Sequence, residues 1–179
     1  DNDLCCTDHT PGFGSAAKYI ASSILEIAHD TFIYSPKSVT IVEIMGRDAG
    51  WLTASSALAR TKYNKAPHLI YLPEVAFDVD KFVQDVKAVC AKNNNKCIAV
   101  VSEGIHDKDG NLICEVAGAV ARDSFGHAQL GGVGATLANI IKAETGYKTR
   151  AIELSLMQRC GAHLASKVDV EEAFRAGRE

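Results

Sequence analysis

Three carboxylates fall within the first eight residues, Asp1, Asp3 and Asp8, beside Thr7 and Thr10 and ahead of the stretch Thr10-Pro11-Gly12-Phe13-Gly14. Carboxylate oxygens next to backbone donors suit a hard divalent cation, or a base that takes a proton from a hydroxyl group. They equally suit a solvated acidic terminus in which Asp8 or Thr10 caps the following helix. Met45-Gly46-Arg47 stands where a β-branched run hands over to a helical one. There a glycine lets the backbone approach a ligand closely, and Arg47 offers a planar fork of donors to phosphate oxygens; a surface arginine after an ordinary turn fits the same spacing. Glu103 ends the most apolar run of the chain, where a charged group is expected to meet water, a ligand or the next turn.

Arg150 and Arg159 flank a further apolar run, with Lys148 close by, so two guanidinium groups could grip one anionic group. One precedes that strand and the other follows it, however, so on one subunit they point to opposite edges of the sheet. Both touch the same class of ligand only if a second subunit completes the site. The six histidines show no metal-ligand spacing, and neither a Gx4GK[ST] phosphate loop nor a serine nucleophile elbow occurs. Gly131-Gly132-Val133-Gly134 precedes a helical run and could hold an anion, but without a convincing strand before it the stretch reads as a flexible loop. Trp51 reads as core.

These side chains must be positioned by an ordinary globular scaffold. Of 179 residues, 47% are hydrophobic and 23% charged, which excludes disorder, collagen and a membrane-spanning chain. The formal charge of -3 provides no footprint for duplex nucleic acid or an anionic membrane surface. The six cysteines are scattered with no CxxC, so free thiols in a reducing cytoplasm fit better than a zinc site or a disulfide framework. The chain begins without Met in a polar motif and stops inside a helical run, so it is expected to be a piece of something longer.

Helical periodicity from Gly14 to Phe32 predicts a helix of about five turns. Strands are predicted at Ser38–Ile44, His68–Leu72, Lys96–Ser102 and Ala151–Leu156, and helices at Ala49–Ala59, Val79–Ala91, Glu115–Arg122, Gly134–Ala143 and from Val168 onward. Apolar strands buried on both faces and separated by helices predict an α/β fold, a mainly parallel sheet with helices on both faces. Residues 1–179 read as a single domain. In open sheets of this kind the site lies beyond the carboxyl ends of the strands, which singles out Met45-Gly46-Arg47, Pro73-Glu74, Glu103 and Gln158-Arg159.

In order and spacing, Asp1-Asn2-Asp3 with Thr7-Asp8, then Met45-Gly46-Arg47, Pro73-Glu74, Glu103, and Arg150 with Gln158-Arg159 resemble the phosphofructokinase family. The resemblance covers nearly the whole chain. It implies the sugar-phosphate-binding lobe of a longer enzyme, without the glycine-rich lobe that holds the phosphoryl donor, and the isolated stretch is expected to be inactive. The run Thr7 to Lys18 looks more like the pyrophosphate-dependent branch than the ATP-dependent one.

The resemblance further implies fructose 6-phosphate as substrate, pyrophosphate or ATP as donor, Mg²⁺ as cofactor and a homo-oligomer, with no nucleic acid or membrane as partner. Asp1 matches the general base, Asp3 a second carboxylate at the magnesium, and Arg47 an arginine facing the transferring phosphoryl. Met45, Gly46 and Glu103 match the lining of the sugar-phosphate pocket. Arg150 and Arg159 match the two arginines that hold the sugar phosphate, the first in a neighbouring subunit's site. Two positions depart from the ATP-dependent pattern: Leu156 stands where a histidine is found, and Ser38 where an arginine is found. Lys37 is the nearby substitute for the latter.

Overall fold

The computed structural model describes residue 6, residues 9–116 and residues 132–178. Asp1, Asp3, Thr7 and Asp8 lie outside the described residues, as does most of the helix predicted over Glu115–Arg122. Helix α1 spans Phe13–Ile33, strand β1 Ser38–Ile44, α2 Trp51–Ser55, β2 Leu69–Tyr71, α3 Val79–Lys92 and β3 Lys96–Ser102. Then follow α4 Ile113–Val116, α5 Val133–Thr145, β4 Lys148–Glu153, α6 Met157–Cys160 and α7 Lys167–Ala176. The four strands form one sheet in the order β2-β3-β1-β4, with every pairing parallel. Among the described residues no helix is long and apolar enough to cross a membrane.

The central strands β1 and β3 are buried on both faces, and their period-2 alternation divides the core in two. Val42, Ile44, Ile98 and Val100 face α1, whose Ile20, Ile24 and Ala28 recur at helical spacing along one stripe. Val39, Ile41, Ala99 and Val101 point the other way, against Phe82 and Val86 of α3 and Leu137 and Ile141 of α5. Burying each of these Val, Leu, Ile and Phe side chains contributes about 1.5–3 kcal/mol before the entropy of ordering it is subtracted.

Local signals set the helix ends that aim these elements. Asp78 caps α3, its Oδ1 accepting the Lys81 N–H at 2.9 Å. The return into β3 passes through Asn94 and Asn95 at φ of 50° and 61°, a left-handed conformation that asparagine tolerates better than most residues.

Several expectations need correction. The helix predicted over Ala49–Ala59 is a short α2 followed by a 3-10 turn over Ser56–Ala59. The Ser55 and Ser56 hydroxyls donate to the carbonyls of Leu52 and Thr53, each at 2.6 Å, and compete with the helical ladder. Trp51, read as core, is 73% exposed. The last strand runs over Lys148–Glu153 rather than Ala151–Leu156, and it is not buried on both faces. Among the described residues it pairs with β1 alone, at the end of the sheet, where charged side chains are tolerated and discourage further strand pairing. Arg150 therefore lies inside the strand rather than before it.

Candidate active site

The carboxyl ends of β1 and β3 meet in two interlocked turns. Gly46 has φ 146°, and a Cβ there would lie 2.7 Å from the Ala49 carbonyl oxygen, so glycine is required on both conformational and steric grounds. Its N–H donates to Glu103 Oε1 at 3.0 Å, and its carbonyl accepts the Ser102 hydroxyl. The Glu103 N–H donates to the Ile44 carbonyl at 2.9 Å. Gly104 packs so tightly that a Cβ would fall 1.8 Å from the Arg47 carbonyl oxygen. Met45, Gly46, Arg47 and Glu103 are thus one cluster, its backbone fixed by the Glu103 side chain. Glu74 is engaged separately, its Oε1 accepting the Gly50 N–H at 2.7 Å at the start of α2.

The segment after β4 joins this cluster through Gln158, which is 2% exposed. Its Oε1 accepts the Met45 N–H at 3.3 Å, and its Nε2 donates to the Ser155 carbonyl at 2.9 Å. A buried amide bonded at both its oxygen and its nitrogen is held in one orientation, so α6 and its Arg159 are kept in register with the Met45 turn. Beside them opens a crevice of about 470 Å³. One wall is the entrance of α1, with Thr10, Gly12 and Ser15; the other carries Gln158, Arg159 and Ala165. Behind these walls Asp169 Oδ2 accepts both the N–H and the hydroxyl of Ser15, each at 2.6 Å.

Arg150 is elsewhere. Its guanidinium bonds Asp30, near the carboxyl end of α1, at 2.7 Å and lies over the Tyr34 ring, 5.6 Å from its centroid. Arg150 thus lies by the carboxyl end of α1, whereas Arg159 lines the crevice at the amino end of that helix. The catalytic and metal candidates Asp1 and Asp3 lie outside the described residues, and among those described no group of three His, Cys, Asp or Glu side chains could hold a metal ion.

Glu43 is the most perturbed acid near the site. It is 3% exposed in β1, one residue before the strand ends. Burial pushes its carboxyl up to about 7, Glu153 and Glu103 push the same way, and the Gly134 and Gly132 amides oppose them. Oε2 accepts the Gly134 N–H at 2.8 Å, while Oε1 has no partner among the described residues. The glycine stretch read as a flexible loop thus has a packing role at Gly134, where a Cβ would meet Glu43 Oε2 at 3.3 Å. Gly131 lies outside the described residues. Sequence reasoning misses Asp169 altogether: an aspartate in the first turn of a helix carries an ordinary capping signal, and nothing local marks a partner 154 residues away.

A family model described as Phosphofructokinase matches residues 1–178. A pyrophosphate–fructose 6-phosphate 1-phosphotransferase of Xanthomonas campestris is 47% identical over 180 residues, covering 99% of this chain and 42% of the relative. A sulfofructose kinase of Alkalicoccus urumqiensis is 34% identical, covering 99% of this chain and 44% of that protein. Among solved structures, the pyrophosphate-dependent phosphofructokinase of Marinobacter aquaeolei superposes with a TM-score of 0.75 at 37% identity, over 97% of this chain and 39% of that one. The chain spans less than half the length of these relatives.

Proposed function

We infer the function from one premise: this chain belongs to the phosphofructokinase family. Its activity is transfer of a phosphoryl group to the 1-hydroxyl of fructose 6-phosphate, giving fructose 1,6-bisphosphate, with pyrophosphate as the donor. What supports this reading in the fold is the Met45-Gly46-Arg47 turn, held by Glu103 and by Gln158, the neighbour of Arg159. The names of the relatives above support the donor.

In the reaction, the Asp1 carboxylate takes the proton of the 1-hydroxyl as that oxygen attacks the terminal phosphorus, and the bridging P–O bond breaks to release orthophosphate. Such transfer asks little covalent work of the protein, which positions two reactants and neutralises charge. Arg47 faces the moving phosphoryl, Met45, Gly46 and Glu103 line the sugar-phosphate pocket, and Arg159 holds the sugar phosphate. The carboxylate oxygens of Asp1 and Asp3 are the hard donors a magnesium ion takes, so Asp3 would hold it, and when bound it offsets the negative charge of the donor. Arg150, aimed at the other edge of the sheet, serves a neighbouring subunit's site, which makes the working form a homo-oligomer.

The test is a coupled assay of the intact protein with fructose 6-phosphate and, in turn, pyrophosphate and ATP. Turnover with pyrophosphate is expected. Turnover with ATP alone reassigns the donor, and turnover with neither overturns the function.

A further inference from the structure

The two walls of the crevice belong to segments about 150 residues apart, and one buried side chain fastens them. Asp169 Oδ2 accepts the Ser15 N–H and the Ser15 hydroxyl, each at 2.6 Å, and the Ser15 oxygen in turn accepts the Ser166 N–H at 2.9 Å. Ser166 is the N-cap of α7 and Asp169 lies in its first turn, while Gly12 to Ser15 form the amino end of α1. Two positive helix ends thus face each other, and a single carboxylate answers both. Asp169 is 8% exposed. Burial alone would raise its carboxyl, but the Ser15 hydroxyl, the Gly12 and Ser15 amides and the nearby His9 hold it below the usual carboxylate range. One helical turn further on, Glu172 Oε2 meets His9 Nε2 at 2.6 Å.

We propose that Asp169 is a positioning residue for phosphoryl transfer: acting through Ser15, it sets the spacing between the entrance of α1, which follows Asp1–Asp8 in the chain, and the wall that carries Arg159. The proposal rests on the function given above. Ser15 and Ala165 line the crevice on its facing walls, and Asp169 sits behind them without lining it. Its work is therefore on geometry rather than on ligand contact. The fit is close, since a Cβ on Gly14 would come within 3.3 Å of Asp169 Oδ2. The anion grip of Arg159 stands on its own wall, held by Gln158, so loosening the fastening shifts the entrance of α1, which Asp1–Asp8 precede in the chain, relative to a sugar phosphate that still binds.

The experiment is steady-state kinetics on the intact protein with Asp169→Ala, Asp169→Asn and Ser15→Ala. A misplacement of about 1 Å costs on the order of 100-fold, so Asp169→Ala is expected to lose about that much kcat with the KM for fructose 6-phosphate little changed. Asp169→Asn keeps an acceptor at the same place and should recover part of the loss. Ser15→Ala, a one-atom deletion that leaves the backbone bond, should lose about tenfold and add little to Asp169→Ala in the double variant. Where Asp169→Ala does not fold, the other two variants carry the test alone. The proposal is overturned if the variants unfold at lower temperature yet keep wild-type kcat, or if KM rises while kcat holds. A wild-type protein with no turnover overturns the functional reading and this one together; an active wild type with indifferent variants overturns this one only.

Discussion

Replacing Glu43 by glutamine removes an ionisable group from a site that favours its neutral form. Burial, with Glu153 and Glu103 nearby, raises its carboxyl from the ordinary 4.5 to about 7. Between those two pH values the folded chain keeps a proton that the unfolded chain has released, so stability contributed by this group falls as pH rises through the window and levels off above 7. At about 1.4 kcal/mol per pH unit the drop is about 3 kcal/mol, with the opposing pull of the Gly134 amide already contained in the shift. Glutamine keeps that acceptor and does not titrate. Wild type and Glu43→Gln should therefore unfold alike near pH 5, with the variant the more stable by on the order of 1–3 kcal/mol at pH 8. Urea midpoints of the intact protein at pH 5, 6, 7 and 8 measure this. The difference between the two proteins is the quantity to follow, because half-buried His68, whose proton affinity is lowered by its desolvation, tilts both curves the opposite way. A difference that stays constant with pH would refute the reasoning.

Asp1→Ser should depress turnover by about 10²–10⁴-fold while leaving fructose 6-phosphate affinity nearly intact, as calorimetry beside kinetics would show; unchanged turnover removes Asp1 from the mechanism. Gly104→Ala places a methyl 1.8 Å from the Arg47 carbonyl oxygen, so one loop must shift. It should cost about 1–3 kcal/mol in a denaturant titration and raise the KM for the sugar phosphate, and a KM that stays put argues against Arg47 at that pocket. Ile98→Ala, in the fully buried central strand β3, should cost about 2–5 kcal/mol with no change in KM for the molecules still folded.

The sequence by itself determined the architecture where burial is two-sided. Ser38–Ile44 and Lys96–Ser102 are strands over the predicted residues because a continuous β-branched run has one place to go, the middle of a parallel sheet. The turns after those strands followed, and with them Met45, Gly46, Arg47 and Glu103 as one cluster. Tertiary structure decided the rest, wherever the deciding partner is distant along the chain. Lys148–Glu153 is a strand because β1 offers it an edge, which tolerates the charges that disguise it in the sequence. Trp51 is exposed at the first position of α2, a helix that the serine hydroxyls after it cut short. Arg150 bonds Asp30, Gln158 locks onto Met45, and Asp169 ties α7 to the entrance of α1. Each of these bonds joins residues more than a hundred positions apart, a separation over which local spacing carries no information and only the folded backbone brings donor to acceptor.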